Sequence, residues 1–380
     1  MTEKLTYLDY AASSPLRPEA LEAMRAYDEA PYAGANPNSL HTLGRLAARA
    51  LDGARVDLAR ALGGGFRPSD VTFTSGGTES NNLALLGIAE GVRARSSRRR
   101  RVVVSAIEHD SVLDLVRPDR SGVVGTGALA PLLDETCALV SVMYANNETG
   151  VIQPVAELAR AAHAAGALFH TDAVQAFGHV RLDLGDVDAA SVAAHKIGGP
   201  VGVGALALRG RVPLRPQSFG GGQEVGRRAG TQDVRGALAF AAAARACQSS
   251  LDPVRELVSA RANRLYERLC APGTGVVATV SAAVDEGRLP GIVSVMVPGL
   301  DSETLILALD QAGFEVSAAS ACSSGSLDAS HVLLAMGIPR DEALGSLRVS
   351  FDERVAEEDL DRFAGTLLNV VSERIRRSNR

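Results

Sequence analysis

The stretch Ala193-Ala194-His195-Lys196-Ile197-Gly198-Gly199-Pro200 places a lysine where an apolar run gives way to glycines. The apolar run, residues 189–194, predicts a buried strand. Lysine is rarely buried without a partner, so Lys196 either reaches water or is kept for chemistry. A desolvated lysine amine changes its pKa and can form a Schiff base. Within this segment alone, a lysine at a strand end is the simpler interpretation.

Length, composition and charge narrow the class of protein. The chain has 380 residues, 46% of them hydrophobic, which exceeds the size at which one core usually stops growing. We therefore expect two domains. The formal net charge of −5 gives no general attraction to nucleic acid. No apolar run approaches the ~20 residues that span a bilayer, so no membrane partner is expected either.

The cysteines indicate a reducing compartment. The four are far apart in sequence and include no C-x-x-C pair: Cys137, Cys247, Cys270 and Cys322. This spacing argues against a zinc site and a disulfide framework, and we expect no resident metal. The first residues lack the pattern of a signal peptide. We therefore expect a cytoplasmic location.

Two patterns follow one another along the chain. Strands are predicted at residues 71–74, 102–106, 139–144, 167–171, 189–194 and 203–208, with helices at residues 81–89 and 155–165. This alternation predicts an α/β domain with a mainly parallel sheet. From residue 252 the pattern predicts a smaller α+β domain, with helices at residues 253–270, 303–312 and 357–376 and a strand at residues 292–297.

The basic run Arg98-Arg99-Arg100-Arg101 lies between two predicted elements. Such runs are usually solvated loops. A docking patch for an acidic partner is the alternative.

A glycine turn follows the first predicted strand and opens a helix. Gly77 and Thr78 are the natural donors to a phosphate there, because glycines let a ligand approach the backbone and helix N-termini bind anions. An ordinary turn with Thr78 as N-cap is the alternative. The segment matches neither G-x-G-x-x-G nor the P-loop pattern, so it implies no dinucleotide or nucleoside triphosphate.

Two other strand ends carry titratable groups. Asp172 follows the strand at residues 167–171, where open α/β sheets bind ligands, although it could merely cap a helix. An aspartate against a pyridinium nitrogen would keep that ring protonated as an electron sink. His109 follows the strand at residues 102–106 and could stack on an aromatic ring or move protons. A structural histidine is the alternative.

Four further segments combine polar side chains with unusual surroundings. The segment Asn146-Asn147-Glu148 follows a strand. It could form an Asx-rich turn, or its side chains could hydrogen-bond a polar substituent of a ring. Residues 220–231 form a glycine-rich loop with two arginines, either a flexible surface loop or a second phosphate contact. Arg348 lies in an otherwise apolar strand, and its carboxylate partner could be internal or belong to an amino-acid substrate. Cys322 lies in a small, polar run that suits an exposed nucleophile.

Together these segments resemble the cysteine desulfurases, a branch of the fold-type-I enzymes that use pyridoxal 5′-phosphate (PLP). The resemblance extends nearly end to end, from residues 7–12 through residues 36–41 to Arg348. It implies a large α/β domain at residues 16–251 with a mainly parallel seven-stranded sheet. It also implies a small α+β domain formed by residues 1–15 and 252–380, and a homodimer.

The resemblance implies roles around the cofactor ring. Lys196 would carry PLP as a Schiff base. Asp172 would pair with the ring nitrogen, and His109 would stack on the ring as a catalytic residue. Asn147 and Gln175 would bond the region of the ring hydroxyl.

It also implies contacts to the phosphate and the substrate. The phosphate would be held by Gly77, Thr78 and His195. Thr231 would reach the phosphate of the neighbouring subunit. Arg348 would hold the substrate carboxylate, with Asn36 and Asn147 beside it.

Cys322 would accept sulfur from L-cysteine and leave L-alanine as the other product. Its Ser-Ala-Cys-x-Ser-Gly context resembles the longer-loop desulfurases, whose mobile cysteine hands sulfur to partner proteins and could transiently ligate an iron–sulfur cluster. An acceptor or scaffold protein is therefore expected, for iron–sulfur assembly, tRNA thiolation or DNA phosphorothioation. A selenocysteine lyase or an aminotransferase on the same fold is the alternative.

Ala193 departs from the family pattern. The family usually has a serine three residues before the lysine, and that serine bonds the phosphate. We therefore expect one phosphate hydrogen bond fewer in this chain, with weaker retention of PLP unless another donor compensates.

Overall fold

The computed structural model describes residues 5–116, 129–281, 283–284, 286–318 and 328–378. Cys322 therefore lies outside the described residues. The strands are β1 (Thr6–Tyr7), β2 (Val71–Thr74), β3 (Arg101–Val104), β4 (Cys137–Ser141), β5 (Leu168–Asp172), β6 (Ala189–Ala193), β7 (Gly204–Leu208), β8 (Val277–Ala278), β9 (Ile292–Met296), β10 (Phe314–Glu315) and β11 (Ser346–Ser350).

Helices lie between these strands and follow the last of them. They are α1 (Pro18–Asp28), α2 (Thr42–Leu62), α3 (Gly77–Arg95), α4 (Asp110–Leu113), α5 (Val155–Ala164), α6 (Val234–Ser249), α7 (Leu251–Leu269), α8 (Ser302–Gln311), α9 (His331–Ala335), α10 (Arg340–Ala343) and α11 (Glu357–Ser378). Among the helices of the described chain, none combines the length and the apolar character that crossing a membrane requires.

The chain forms two compact units. The larger comprises Ser14–Tyr144 and Gln153–Leu251, and the smaller comprises Met1–Ser13, Ala145–Ile152 and Asp252–Arg380.

The larger unit is built on one mixed sheet with the strand order β2-β7-β6-β5-β4-β3. The pairs from β6 to β3 are parallel, whereas β7 runs antiparallel to both of its neighbours. Strands β4 and β6 are buried along their whole length, as expected for central strands covered on both faces. The expected α/β fold is confirmed. The described residues supply six of the seven predicted strands, and residues 117–128 of this unit lie outside them.

Helix α3 covers this sheet with an apolar face. Leu85 and Ile88 are almost completely buried and belong to one core cluster with Leu139 of β4 and Leu206 of β7. This packing fixes the N-terminal end of α3 relative to the edge of the sheet. The candidate site is built at that edge.

The basic run lies at the far end of the same unit and is largely paired there. Arg98 pairs with Glu135, and Arg101 pairs with Asp134 at 3.0 Å. Arg99 donates to the carbonyl oxygen of Cys137 at 2.8 Å. The arginines are thus paired within their own unit, which favours the interpretation as a loop over that as a docking patch.

The smaller unit has a three-stranded antiparallel sheet with the order β11-β9-β8. Its core includes Tyr266 from α7 and Phe363 from α11, both fully buried, together with Val293 and Leu347 of the sheet. The N-terminal strand β1 pairs in parallel with β10. The N-terminal segment is thereby tied to the C-terminal part of the chain.

Candidate active site

The turn that carries Lys196 is held rigidly. Strand β6 ends at Ala193, and residues 194–197 form a short 3-10 turn that ends at Gly198 with φ of 78°. A Cβ on Gly198 would lie 2.5 Å from Cγ of Arg17, so only glycine fits there. Arg17 donates from Nε to the carbonyl oxygen of Ile197 at 3.0 Å, and its own N–H donates to that of Gly198 at 2.8 Å.

Two more contacts fix the centre of this turn. The N–H of Ser14 donates to the carbonyl oxygen of His195 at 2.8 Å. Nε2 of His179 lies 3.1 Å from the carbonyl oxygen of Lys196. Burial and the positive charge of Lys196 lower the pKa of His195 to about 4. His195 is therefore neutral at pH 7, while the lysine side chain remains partly accessible.

The glycine turn before α3 is shaped by close contacts. A Cβ on Gly77 would lie 2.9 Å from Cγ2 of Val174 and 3.8 Å from Cβ of Ala193. A Cβ on Gly204 would lie 2.7 Å from Cα of Gly76. The turn therefore packs directly on β7 and on the end of β6. The N–H groups of the first turn of α3 lack partners within the helix, so this end favours an anion.

Asp172 and His109 are joined by two residues that the sequence analysis did not assign. Nδ2 of Asn81 donates to Oδ2 of Asp172 at 2.7 Å and to Oγ of Ser111 at 2.9 Å. That hydroxyl lies 2.9 Å from Nδ1 of His109. Oδ1 of Asp172 accepts from the N–H of Val174 at 2.9 Å. The carboxylate and the imidazole therefore belong to one hydrogen-bonded network, which we call the Asn81 bridge.

Glu108 lies beneath this network and is completely buried. Burial and the negative charge of Asp172 raise the pKa of Glu108 well above its usual value. Its Oε1 accepts from the N–H of Met143 at 2.6 Å. Burial and the nearby carboxylate of Asp172 therefore favour the protonated form of Glu108.

The larger unit thus brings several of the predicted residues together. Val174 packs closely against Gly77, and its N–H donates to the carboxylate of Asp172. Gly77 also lies near Cβ of Ala193, three residues before Lys196. Gln175 lies buried in the turn that follows Asp172.

Thr231 and Asn36 lie on exposed parts of the larger unit. Oδ1 of Asn36 accepts from Nδ2 of Asn38 at 3.0 Å, which in turn donates to Oε1 of Gln232 at 2.9 Å. The structure therefore places Asn36 beside the loop that carries Thr231.

That loop, residues 220–231, is anchored by two ion pairs. The buried Glu224 accepts two hydrogen bonds from Arg55, at 2.6 and 2.8 Å. Arg228 donates from Nε to Glu79 at 2.9 Å. Burial opposes ionisation of Glu79, but the hydrogen bonds from Arg228 and Ser75 outweigh it and lower the pKa of Glu79. The loop is therefore tied to the first turn of α3.

Arg348 and Asn147 lie in the smaller unit and contact one another. The Arg348 side chain is 1% exposed, and its Nη1 donates to the carbonyl oxygen of Asn147 at 2.9 Å. Its Nη2 donates to Oδ1 of Asp9 at 2.8 Å. Nε of Arg348 has no hydrogen-bond partner within the described part of the chain. The sequence left open whether this arginine has an internal carboxylate partner, and the structure assigns Asp9 as one.

The geometry defines a recognisable class of site: a lysine on a fixed turn after a strand, a helix that starts at a glycine turn, and a carboxylate at a neighbouring strand end. A family model described as Aminotransferase class-V matches residues 6–363. An "IscS-like cysteine desulfurase" of Mycobacterium tuberculosis is 42% identical over 380 residues, covering 94% of each chain.

Solved structures agree with these sequence matches. A "NIFS-LIKE PROTEIN" superposes with a TM-score of 0.85 at 34% identity, covering 97% of this chain and 99% of that one. A structure titled "SspA in complex with cysteine" superposes with a TM-score of 0.74 at 28% identity, covering 91% and 98%. The chain belongs to the class-V aminotransferases, a family of PLP-dependent enzymes. Within that family it is one of the cysteine desulfurases.

Proposed function

We propose that this protein binds PLP in its larger unit, converts L-cysteine to L-alanine and leaves the sulfur as a persulfide on Cys322. The observation that carries the proposal is the connected set of Gly77, Asp172 and His109 around the end of β6, from which Lys196 follows. The resemblance of the sequence to the cysteine desulfurases supports the same assignment.

The residues of the larger unit fit the cofactor chemically. The N-terminus of α3, with Gly77 and Thr78, would hold the phosphate. Asp172, fixed by two hydrogen bonds, would hold a proton on the ring nitrogen. His109 would lie against the ring, and Gln175 at the ring hydroxyl. When bound, PLP supplies an electron sink that stabilises negative charge on the α-carbon of an amino acid.

The chain's own residues would carry out the remaining steps. Arg348 would bind the substrate carboxylate with its buried guanidinium, the Nε–H being a donor that a carboxylate could satisfy. The Nζ amine of Lys196 would remove the α-proton. His195, which is neutral at pH 7, would hydrogen-bond the phosphate without adding a charge.

Sulfur transfer would then take place at Cys322. Its thiolate attacks the sulfur of the substrate, so that an S–S bond forms and the substrate's Cβ–S bond breaks. The electron pair of the broken bond stays with the carbon skeleton, and Cβ takes up a proton to give alanine. The outer sulfur of the persulfide is then available to an acceptor protein.

The other cysteines are less suited to this role. Cys137 and Cys247 are buried, and Cys270 is partly buried. Burial raises the pKa of the Cys137 and Cys270 thiols, which keeps them protonated at neutral pH.

Two variants test the proposal. With a thiol reductant present to release the persulfide sulfur as sulfide, we expect Cys322→Ser to keep the absorbance band of lysine-bound PLP but to lose sulfide release from L-cysteine. Cys270→Ser is the matched control. We expect Lys196→Ala to lack that band. Sulfide release by Cys322→Ser at the wild-type rate would refute the sulfur-transfer role. Alanine that forms only when a keto acid is added would identify an aminotransferase instead.

We also propose that the protein is a homodimer in which Thr231 of one subunit reaches the phosphate bound by the other. The loop at residues 220–231 supports this, because it exposes two apolar side chains, Phe219 beside it at 87% and Val225 within it at 90%. Light scattering after size exclusion gives the mass directly. Mixed dimers of Thr231→Ala and Lys196→Ala subunits test whether Thr231 acts across the interface.

A further inference from the structure

Asp9 is the charged partner of a buried arginine that the proposed function uses for substrate binding. Arg348 lies in the middle of β11 with its side chain 1% exposed, whereas that of Asp9 is 20% exposed. A guanidinium this deeply buried is costly unless it is paired. Asp9 therefore pairs with the buried guanidinium before any substrate arrives.

The backbone around Asp9 is fixed on both sides. The N–H of Ser350 donates to the carbonyl oxygen of Leu8 at 2.8 Å, and that of Tyr10 donates to the carbonyl oxygen of Ser350 at 3.2 Å. The N–H of Ala11 donates to Oγ of Ser350 at 2.9 Å. This segment therefore meets β11 in a single parallel bridge between Asp9 and Ser350. Main-chain hydrogen bonds on both sides of Asp9 hold its carboxylate within reach of Arg348.

Two acceptors determine how the guanidinium lies. Oδ1 of Asp9 binds Nη2 at 2.8 Å, and the carbonyl oxygen of Asn147 binds Nη1 at 2.9 Å. Because the group is planar and rigid, contacts at both Nη atoms set the direction of the Nε–H as well. That Nε is buried and has no hydrogen-bond partner among the described residues.

We propose that Asp9 is a positioning residue for substrate recognition: it orients Arg348 so that its Nε–H remains available to the carboxylate of an amino acid. The inference rests on the proposed function, since it takes the substrate carboxylate as the ligand of Arg348. Asp9 itself does not touch the substrate in this scheme. Its removal should therefore affect substrates with a free carboxylate and spare those without one.

The test compares L-cysteine with L-cysteine methyl ester, which lacks the anionic carboxylate. For Asp9→Ala we expect KM for L-cysteine to rise at least tenfold with kcat within threefold, and KM for the ester to change less than threefold. Asp9→Asn keeps an acceptor oxygen for Nη2 and should stay within threefold of the wild type. Asp361→Asn, which alters an exposed ion pair with Arg268 in the same unit, is the matched control and should change neither.

The outcomes separate the inference from the function on which it rests. An unchanged KM for L-cysteine in Asp9→Ala, or an equal rise for acid and ester, overturns the positioning role. If Asp9→Ala does not fold, Asp9→Glu takes its place, because it keeps the negative charge but displaces it. An unchanged KM for L-cysteine in Asp9→Glu would likewise overturn the positioning role. If the wild type itself releases no sulfide from L-cysteine, the proposed function fails instead.

Discussion

Asn81 has a larger effect on the site than its neutral side chain suggests. It is 1% exposed, and a single nitrogen serves both the carboxylate of Asp172 and the hydroxyl of Ser111. Hydrogen bonds to charged groups contribute about 1.5–3 kcal/mol. We expect Asn81→Ala to weaken PLP binding about tenfold and to shift the pH dependence of the PLP absorbance, because Asp172 loses one of its two donors. Fluorescence titration of the apoprotein with PLP measures the first effect.

The next residue provides the control for this prediction. Nδ2 of Asn82 donates to the carbonyl oxygens of Thr78 and Ser111. Asn82→Ala should therefore leave the pH dependence of the absorbance as it is. A shift of the same size in both variants would mean that the Asn81 bridge does not act on Asp172.

Replacing Ala193 by serine should have opposite effects on the protein with and without PLP. Its Cβ is 1% exposed and lies 3.8 Å from the position of a Cβ on Gly77, beside the proposed phosphate site. In Ala193→Ser without PLP, a buried hydroxyl without a good partner costs about 1–3 kcal/mol. With PLP, the same hydroxyl bonds a charged phosphate. We expect the variant to unfold at a lower temperature without PLP and to bind PLP about tenfold more tightly.

Thermal unfolding with and without PLP measures both effects of the serine. A variant that is destabilised equally in both states would show that the phosphate does not lie beside residue 193. A variant that is unaffected in both would show that the hydroxyl finds another partner.

Some site residues could be predicted from the sequence because they stand in unusual surroundings. Lys196 and Asp172 are charged groups at the ends of apolar strands. Asn81 and Asp9 gave no such signal, since their role depends on partners 91 and 339 positions away along the chain. Polar helix starts and N-terminal aspartates are common, and only the fold shows which of them meets a buried charge.

At the scale of single elements, the loop at residues 220–231 stores backbone strain. Glu224 and Val225 have φ of 50° and 56°, and they are the non-glycine residues with positive φ in the described chain. This conformation is unusual for any L-residue and most of all for a β-branched one. The ion pair between the buried Glu224 and Arg55 holds it in place. Such strain tends to occur at functional sites, which fits the proposed contact of this loop with a second subunit.

Replacing Val225 by glycine should relieve this strain. The side chain is 90% exposed, so little packing is lost, and we expect a gain in stability of about 1 kcal/mol. Calorimetry under conditions in which the proposed dimer dissociates measures this gain in stability. Val201→Gly, at a position 79% exposed and without positive φ, is the control and should be neutral or slightly destabilising. A loss of stability in Val225→Gly would contradict the assignment of strain.

The elements themselves were largely predictable, since their apolar patterns are strong. Strand β2 was predicted with its observed bounds, and the other predicted strands and helices overlap those observed. The antiparallel direction of β7 was not predicted, because its apolar run looks the same in either direction. The length of α3 was underestimated too, because its start at Gly77 lacks a side-chain cap.

At the scale of the whole molecule, buried titratable groups couple stability to pH. His170 is completely buried between the hydroxyls of Ser141 and Ser191, at 2.8 and 2.9 Å, and burial lowers its pKa to about 3. His195, with its pKa lowered to about 4, behaves similarly. Glu108 has the opposite effect, because the folded chain keeps a proton there that the unfolded chain releases.

Whether stability rises or falls with pH depends on which state, folded or unfolded, binds more protons. Between the unfolded histidine pKa of about 6.5 and the folded values, the unfolded chain binds more protons at both histidines, so stability rises with pH. Each histidine contributes up to about 1.4 kcal/mol per pH unit in that window. Over the same range, the stability contributed by Glu108 falls as pH rises, which partly cancels the slope.

We therefore expect the unfolding temperature of the wild type to rise from pH 5 to about pH 6.5, the unfolded pKa of histidine. His170→Asn should flatten that rise, because it removes one of the two groups that bind protons on unfolding. Glu108→Gln should steepen it, because it removes the opposing group. Differential scanning calorimetry at several pH values gives the slopes, with the exposed His331→Asn as the control. Because the test is a slope, it is insensitive to any uniform loss of stability, and an unchanged slope in His170→Asn would refute the assignment.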